Sequence, residues 1–221
     1  MALTAYDNMM TIQVTQGTRK KKFRVYRGVL CFHSDFFDHA LNGAFGARGL
    51  YFYEVMDCTI ETFQIFYDWT NTGVQDKKLS DQQAFDLFLF ADFYAIPALK
   101  NRALESYHCS FLDSWTFSFS LIQSVYLYTM DGSSLRKLTV DQVVKTLVFE
   151  TVKEDLSGRG MPEECLLDII QACGLKRFIT SPQFDRDLHR YQQEGWIAGM
   201  RMNFCHRYHD HVEAEQHAAY M

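Results

Sequence analysis

The sequence predicts an α+β protein: a small β-sheet flanked by a cluster of helices, followed by an all-α region. Three observations carry this. β-rich runs occur only near the start of the 221-residue chain, at 10–15, 22–26 and 50–55. They are clustered and do not alternate one-for-one with helices, which argues against a parallel α/β sheet. Beyond them, apolar residues recur at helical spacing, and only Pro97, Pro162 and Pro182 are available to interrupt it.

The elements follow in order. MTIQVT, residues 10–15, alternates and reads as a strand; KFRVY, residues 22–26, reads as a second. The two form a hairpin across QGTRKK, and the basic run Arg19–Lys22 reads as a solvated loop that also discourages edge pairing. A nuclear signal or anion patch is the alternative for four basic residues in a row. Residues 27–41 read as helix in one or two pieces, with Ser34 able to cap the second and Asp35 in its first turn. Asn42-Gly43 ends it. LYFYEV, residues 50–55, is a third strand with aromatics on both faces, so both faces are expected to be covered. Thr59 caps the next helix, which Asn71-Thr72-Gly73 closes. Ser80 and Gln83 form a capping box. The helix behind them, to about Tyr94, is apolar almost all round and belongs at the centre or at an interface. Pro97 opens another, to about Leu112. Helical patterns then cover 117–130, 134–150, 162–173 and 182–200, and no further strand is convincing.

Composition narrows the function classes. The chain is 48% hydrophobic and 22% charged, ordinary for a globular protein, but its aromatic content of 15% calls for a dense core or an aromatic contact surface. A formal charge of −5 argues against nucleic acid as a partner. MALTAYDNMM is not a secretory leader, and no apolar run reaches membrane-spanning length. Six scattered cysteines without a CxxC pair read as reduced thiols, so a cytoplasmic and/or nuclear location is expected.

Several pieces in register resemble one family. FRVYRGVLCFHSDFF is similar to the pattern Phe-x-Val-His-Lys/Arg-x-x-Leu-x-x-x-Ser-x-x-Phe, with Phe23, Val25, Arg27, Leu30, Ser34 and Phe37 at the pattern positions. The third strand follows, then TFQIFYDWTNTG and FADFYAIPALKNRA, similar to Phe-x-x-hydrophobic-x-x-Tyr-x-Tyr-Thr-Gly and Ala-x-x-Tyr-x-Ile/Val-x-x-Leu. This resembles the BTB/POZ domain, and the whole chain looks like fungal proteins that carry it. The resemblance implies a domain at 10–113 and a helical C-terminal region at 114–221. It also implies a non-enzymatic protein–protein interaction module, often dimeric, that acts as adaptor or scaffold. Many members are substrate adaptors for cullin ubiquitin ligases.

The chain departs from the family pattern in four ways. Tyr26 stands where the family has His. Met9 or Met10 replaces an acidic residue before the first strand, with Asp7 nearby, which puts a charged pocket in doubt. Phe45-Gly46-Ala47 occupies the hydrophobic-x-Glu position of cullin-binding members, so the Glu is absent and the cullin reading weakens. The segment before the first strand is short for a strand-swapped dimer.

The candidate site residues follow from this reading. Val29, Phe36 and Phe37 are expected at a self-association surface, and Phe45, Asp81, Phe85 and Tyr94 at a partner surface; the same side chains could be core. Leu121, Tyr126 and Tyr128, with Phe117 and Phe119, could line a groove but read better as core. Cys205, His206, His209 and His211 lie close enough in sequence for zinc, as Cys205/His209 (i, i+4) or His206/His209 (i, i+3). A structural site needs four ligands, and a polar, fraying terminal helix is the preferred reading. Ser34 with His39 lacks an orienting acid. No phosphate loop or facing carboxylate pair occurs, so neither enzyme chemistry nor a cofactor is expected.

Overall fold

The computed structural model describes residues 8–42, 51–73, 78–114, 119–146, 161–175 and 186–210. The α+β architecture is the one the sequence predicts. Strands β1 (Met9–Gln16) and β2 (Arg19–Tyr26) form an antiparallel hairpin. Helices α1 (Arg27–His33) and α2 (Asp35–Asn42) lead from it to β3 (Phe52–Val55), which runs parallel to β1 and so needs such a crossover. The sheet order is β2-β1-β3. Then come α3 (Ile60–Thr72), α4 (Asp81–Phe93), α5 (Pro97–Ser114), α6 (Phe119–Tyr128), α7 (Ser134–Thr146), α8 (Glu163–Leu175) and α9 (Arg186–Tyr208). None of the described helices is long and apolar enough to cross a membrane.

Two expectations about the sheet are corrected. The hairpin loop is only Gly17-Thr18, with Gln16 paired to Arg19. Gly17 takes φ +59° and Thr18 stays at negative φ, the pattern of a type II′ turn, whose twist matches that of the strands. Arg19–Lys22 is therefore strand, not loop, and all four residues are exposed. β3 is covered on one face only. Its Val55 is buried and Tyr53 half-buried, while Phe52 and Glu54 face out from what is an edge strand.

The helix signals act as read. Thr59 Oγ1 accepts from Thr62 N, and Gly73 ends α3 at φ +70°. Ser80 and Gln83 form both bonds of the capping box. The last helix runs on to Tyr208, past the expected end at residue 200.

The chain divides into two compact units, residues 1–110 with 210–221, and residues 111–209. The first has an aromatic core in which Phe37, Phe63 and Phe66 are fully buried and Phe88, Phe90 and Tyr94 nearly so. Phe63 meets Phe66 at 5.4 Å and Phe90 at 5.9 Å, both edge-on. Burial of each such ring contributes about 2–3 kcal/mol, with about 1 kcal/mol more from edge contacts. Asp210 joins this unit through Lys100, whose Nζ lies 2.6 Å from Asp92 and 2.7 Å from Asp210.

The second unit is a helical cluster around Leu121, Val125, Leu135, Leu138, Cys165 and Phe204. Its polar hub is Arg136, 7% exposed. Nε donates to Thr129 Oγ1 (3.1 Å), Nη1 to Asp131 (2.6 Å) and Glu164 (3.0 Å), and Nη2 to the carbonyls of Tyr126 (2.8 Å) and Thr129. Every donor of the fork is therefore used, and the guanidinium also lies 4.6 Å from the Tyr126 ring.

Candidate functional site

Two surfaces of the first unit stand out, and the local sequence builds each. The first surrounds the α1–α2 elbow. Ser34 breaks the helix there, and its Oγ accepts from Phe37 N at 3.1 Å, capping α2. The same hydroxyl donates to Tyr94 O at 2.5 Å, which fastens the elbow to the end of α4. Tyr94 is the centre of an aromatic stack: parallel to Phe37 at 5.1 Å, edge-on to Phe36 at 5.1 Å, and 4.9 Å from Phe93. The stack runs from the core outward. Phe37 and Tyr94 are buried, Phe36 is half-buried, and Phe93 is 59% exposed. On α1, Phe32 is 82% exposed and sits edge-on to His33, which packs on Trp69 at 4.8 Å. Burial holds the His33 pKa below its ordinary value, so the ring stays neutral beside the tryptophan.

The second surface is the outer face of the sheet. Lys20, Lys22 and Arg24 of β2 stand beside Thr15, Gln13 and Thr11 of β1, and the last two stand beside Glu54 and Phe52 of β3. Glu54 is held by Thr15 Oγ1 (2.6 Å) and Gln13 Nε2 (3.0 Å), which lower its pKa. Past the other face, a polar cleft of about 700 Å³ opens between Arg19 and Lys21 of β2, α3 and α4. Its side chains satisfy one another: Lys21 donates to Gln64 (2.7 Å), Gln83 to Glu61 (2.6 Å) and Gln82 to Asp86 (2.7 Å).

Neither surface holds an activated group. Ser34 Oγ is buried and bonded on both sides, and His39 Nδ1 donates to Asp35 O, so the pair builds structure. Burial pushes the Cys58 thiol up to about 12 and that of Cys165 to about 11, which keeps both protonated at neutral pH.

The sequence-predicted site residues separate. Val29 and Phe36 are half-buried at the elbow, available for contact. Phe37 (0% exposed), Phe85 (3%) and Tyr94 (2%) are interior, because ring stacking inside the chain already covers them; they are not a free surface. Asp81 opens α4 and is half-buried, with Oδ1 out of reach of any donor. Phe45 and His211 lie outside the described residues. Cys205 and His209 are half-buried, His206 is exposed, and His209 packs edge-on to Phe204 at 5.4 Å. No three His, Cys, Asp or Glu side chains come together to hold a metal among the described residues. In the second unit, Leu121 and Tyr126 are core as read, but Tyr128 is 63% exposed.

Sequence reasoning passed over Phe32 and Phe93 as surface residues. The available signal was α4 itself, since a helix apolar on all sides must turn one of them away from the core.

A mixed three-stranded sheet whose crossover passes through a Ser-capped helical elbow, backed by aromatic helices, is the architecture the motif implied. Residues 7–110 match the BTB/POZ domain family. No curated protein matches the chain. The BTB/POZ domain is a protein–protein interaction module and not, in general, an enzyme. The family motif maps onto the fold position by position. Phe23, Val25, Leu30, Ser34 and Phe37 are all buried, and Arg27 bonds across the elbow to Leu41 O and Asn42 Oδ1.

Proposed function

We propose that the chain is a non-enzymatic adaptor or scaffold that self-associates through the α1–α2 elbow. The observation that carries this is the exposure of Phe93, 59%, at the surface end of the Phe37–Tyr94–Phe36 stack, and of Phe32, 82%, on His33 nearby in α1. A large ring held by its neighbours, as Phe93 is by Phe36 and Tyr94, loses little entropy on binding, and exposed aromatic rings are typical anchors of an interface. Val29 and Phe36 supply the half-buried surroundings that exclude water. Light scattering coupled to size exclusion tests the reading. The expected result is a mass about twice the 25.8 kDa of the chain, reduced to one chain by Phe32→Glu with Phe93→Glu. A single-chain mass at tens of micromolar, or a double variant of unchanged mass, would overturn it.

The residues 10–113 form the interacting domain in this reading, and 114–221 a helical companion. A cytoplasmic and/or nuclear location is part of it, favoured by the thiols of Cys31, Cys58 and Cys165, which form no disulfide. Cullin-adaptor function in ubiquitination is the more specific alternative. Ala47 at the position of the motif Glu counts against it, and a pull-down with a cullin N-terminal domain decides it.

A further inference from the structure

The basic run that reads as a loop in the sequence is an edge strand, and that changes what it can do. Five of the six residues from Arg19 to Arg24 are cationic, and all five are exposed. β2 has β1 on one side and no strand on the other among the described residues. From Arg19 to Val25 no backbone hydrogen bond is made on that outer side among them. Half of the N–H and C=O groups of such an edge point outward unpaired. Alternation places Lys20, Lys22 and Arg24 on the outer face of the sheet, with Arg19 and Lys21 on the face of Phe23 and Val25. On the inner face Glu61, Asp68 and Asp86 line the cleft beside Arg19 and Lys21; on the outer face the charge is less compensated. Glu54 stands 4.0 Å from Lys20; Lys21 and Arg19 bond neutral glutamines, and among the described residues Arg24 reaches the sulfur of Met9 at 3.6 Å and no carboxylate. Among the described residues Lys22 makes no side-chain hydrogen bond or ion pair.

We propose that the open edge of β2 binds an extended acidic segment of a partner protein, which joins the sheet as an outer strand. Main-chain groups in a row are matched by another peptide chain, not by a phosphodiester backbone or a lipid surface. Cations on both faces of the edge select a strand with Asp or Glu at successive positions. Directly opposed residues have Cβ atoms about 5 Å apart, within reach of Lys–carboxylate pairing. The same charges reject the commonest misuse of an edge. Pairing β2 with a second copy of itself sets Lys and Arg against Lys and Arg, so the device that keeps the chain from aggregating also chooses its ligand. This site is independent of the α1–α2 elbow.

The test is fluorescence anisotropy with the full chain and a labelled peptide bearing a run of Asp and Glu. Comparators are the same peptide with alternate backbone amides N-methylated, a Lys-rich counterpart, single-stranded DNA, and phosphatidylserine vesicles. Saturable binding of the acidic peptide is expected. N-methylation weakens it about tenfold or more by removing ladder donors, and so does the triple change Lys20→Glu, Lys22→Glu, Arg24→Glu. Light-scattering mass and circular dichroism stay unchanged, which separates this site from self-association. Should the triple variant not fold, Lys22→Gln carries the test, with an expected loss of about threefold. No binding at about 100 μM overturns the proposal, because pairing this weak could not compete for the edge. So does a folded charge variant that binds normally. Equal binding of the N-methylated peptide, DNA or vesicles also overturns it, leaving only a basic patch.

Discussion

Ser34→Ala is the sharpest probe of how the elbow is held. Ser34 is 1% exposed, so its hydroxyl has no access to water in exchange for what it loses. Two bonds disappear. Loss of the α2 cap on Phe37 N costs about 1 kcal/mol. Leaving the Tyr94 carbonyl inside without its 2.5 Å donor costs about 1–2 kcal/mol more. The void is a single oxygen and adds little. Together the loss is about 2–3 kcal/mol, a large share of a typical stability of about 5–15 kcal/mol. Urea unfolding followed by far-ultraviolet circular dichroism reads it as a midpoint lowered by about 1 M, for a slope of about 2–3 kcal/mol/M that does not change. A loss under about 0.5 kcal/mol would refute the reasoning, since surface substitutions alone span that range. The elbow would then be held by ring packing alone.

Three further outcomes follow from the same structure. Arg136→Met keeps the stem but leaves the Tyr126 and Thr129 carbonyls without their donor, while the exposed Asp131 and Glu164 carboxylates return to water; it should cost about 2–3 kcal/mol in thermal unfolding. Arg136→Lys should recover only part, because an ammonium cannot reproduce the fork; a variant within about 1 kcal/mol of the parent counts against the hub. Burial lowers the His108 pKa to about 4, so between pH 6.5 and 4 the unfolded chain takes up a proton that the folded chain refuses. Stability therefore falls with acidification, by about 1–2 kcal/mol from pH 7 to 5, and His108→Gln should remove that part of the slope in a pH series of urea melts. Ala95 turns the chain after α4 at φ +49°, a left-handed conformation that costs an L-residue about 1 kcal/mol. Ala95→Gly should raise stability by about 0.5–1 kcal/mol, and a lower melting temperature would sink that account.

The elements were readable because their signals are local. A cap or a turn is written within four or five residues, as at Thr59, Ser80–Gln83 and Gly73, and local chemistry decides it. What could not be read depends on distant partners. Nothing near Arg136 announces that its fork closes on Glu164 of another helix. β3 looks as if it should be covered on both sides, since Phe52 and Tyr53 are equally aromatic. Only the pairing with β1 decides which of them faces out. The basic run went to a loop for a similar reason. Gly17 shortens the turn to two residues, and the register then places Arg19 opposite Gln16 as strand.

Burial divides the candidate residues along one line. The motif residues that carry the BTB/POZ match are mostly those whose interior positions leave no choice of side chain, such as Phe37 and Leu30, at 0% and 1% exposure. They specify the fold and for that reason cannot meet a partner. Whatever this chain recognises must be read by the positions the motif leaves open. Those positions hold Arg24 in the strand, Val29 and Phe32 in α1, and Phe36 in α2. Of these, Arg24 and Phe32 are exposed, Val29 and Phe36 half-exposed. A substitution at a motif position therefore acts on folding, and one at an open position acts on binding. Ser34→Ala and Phe32→Glu, only two residues apart, should divide cleanly between a stability assay and a mass measurement.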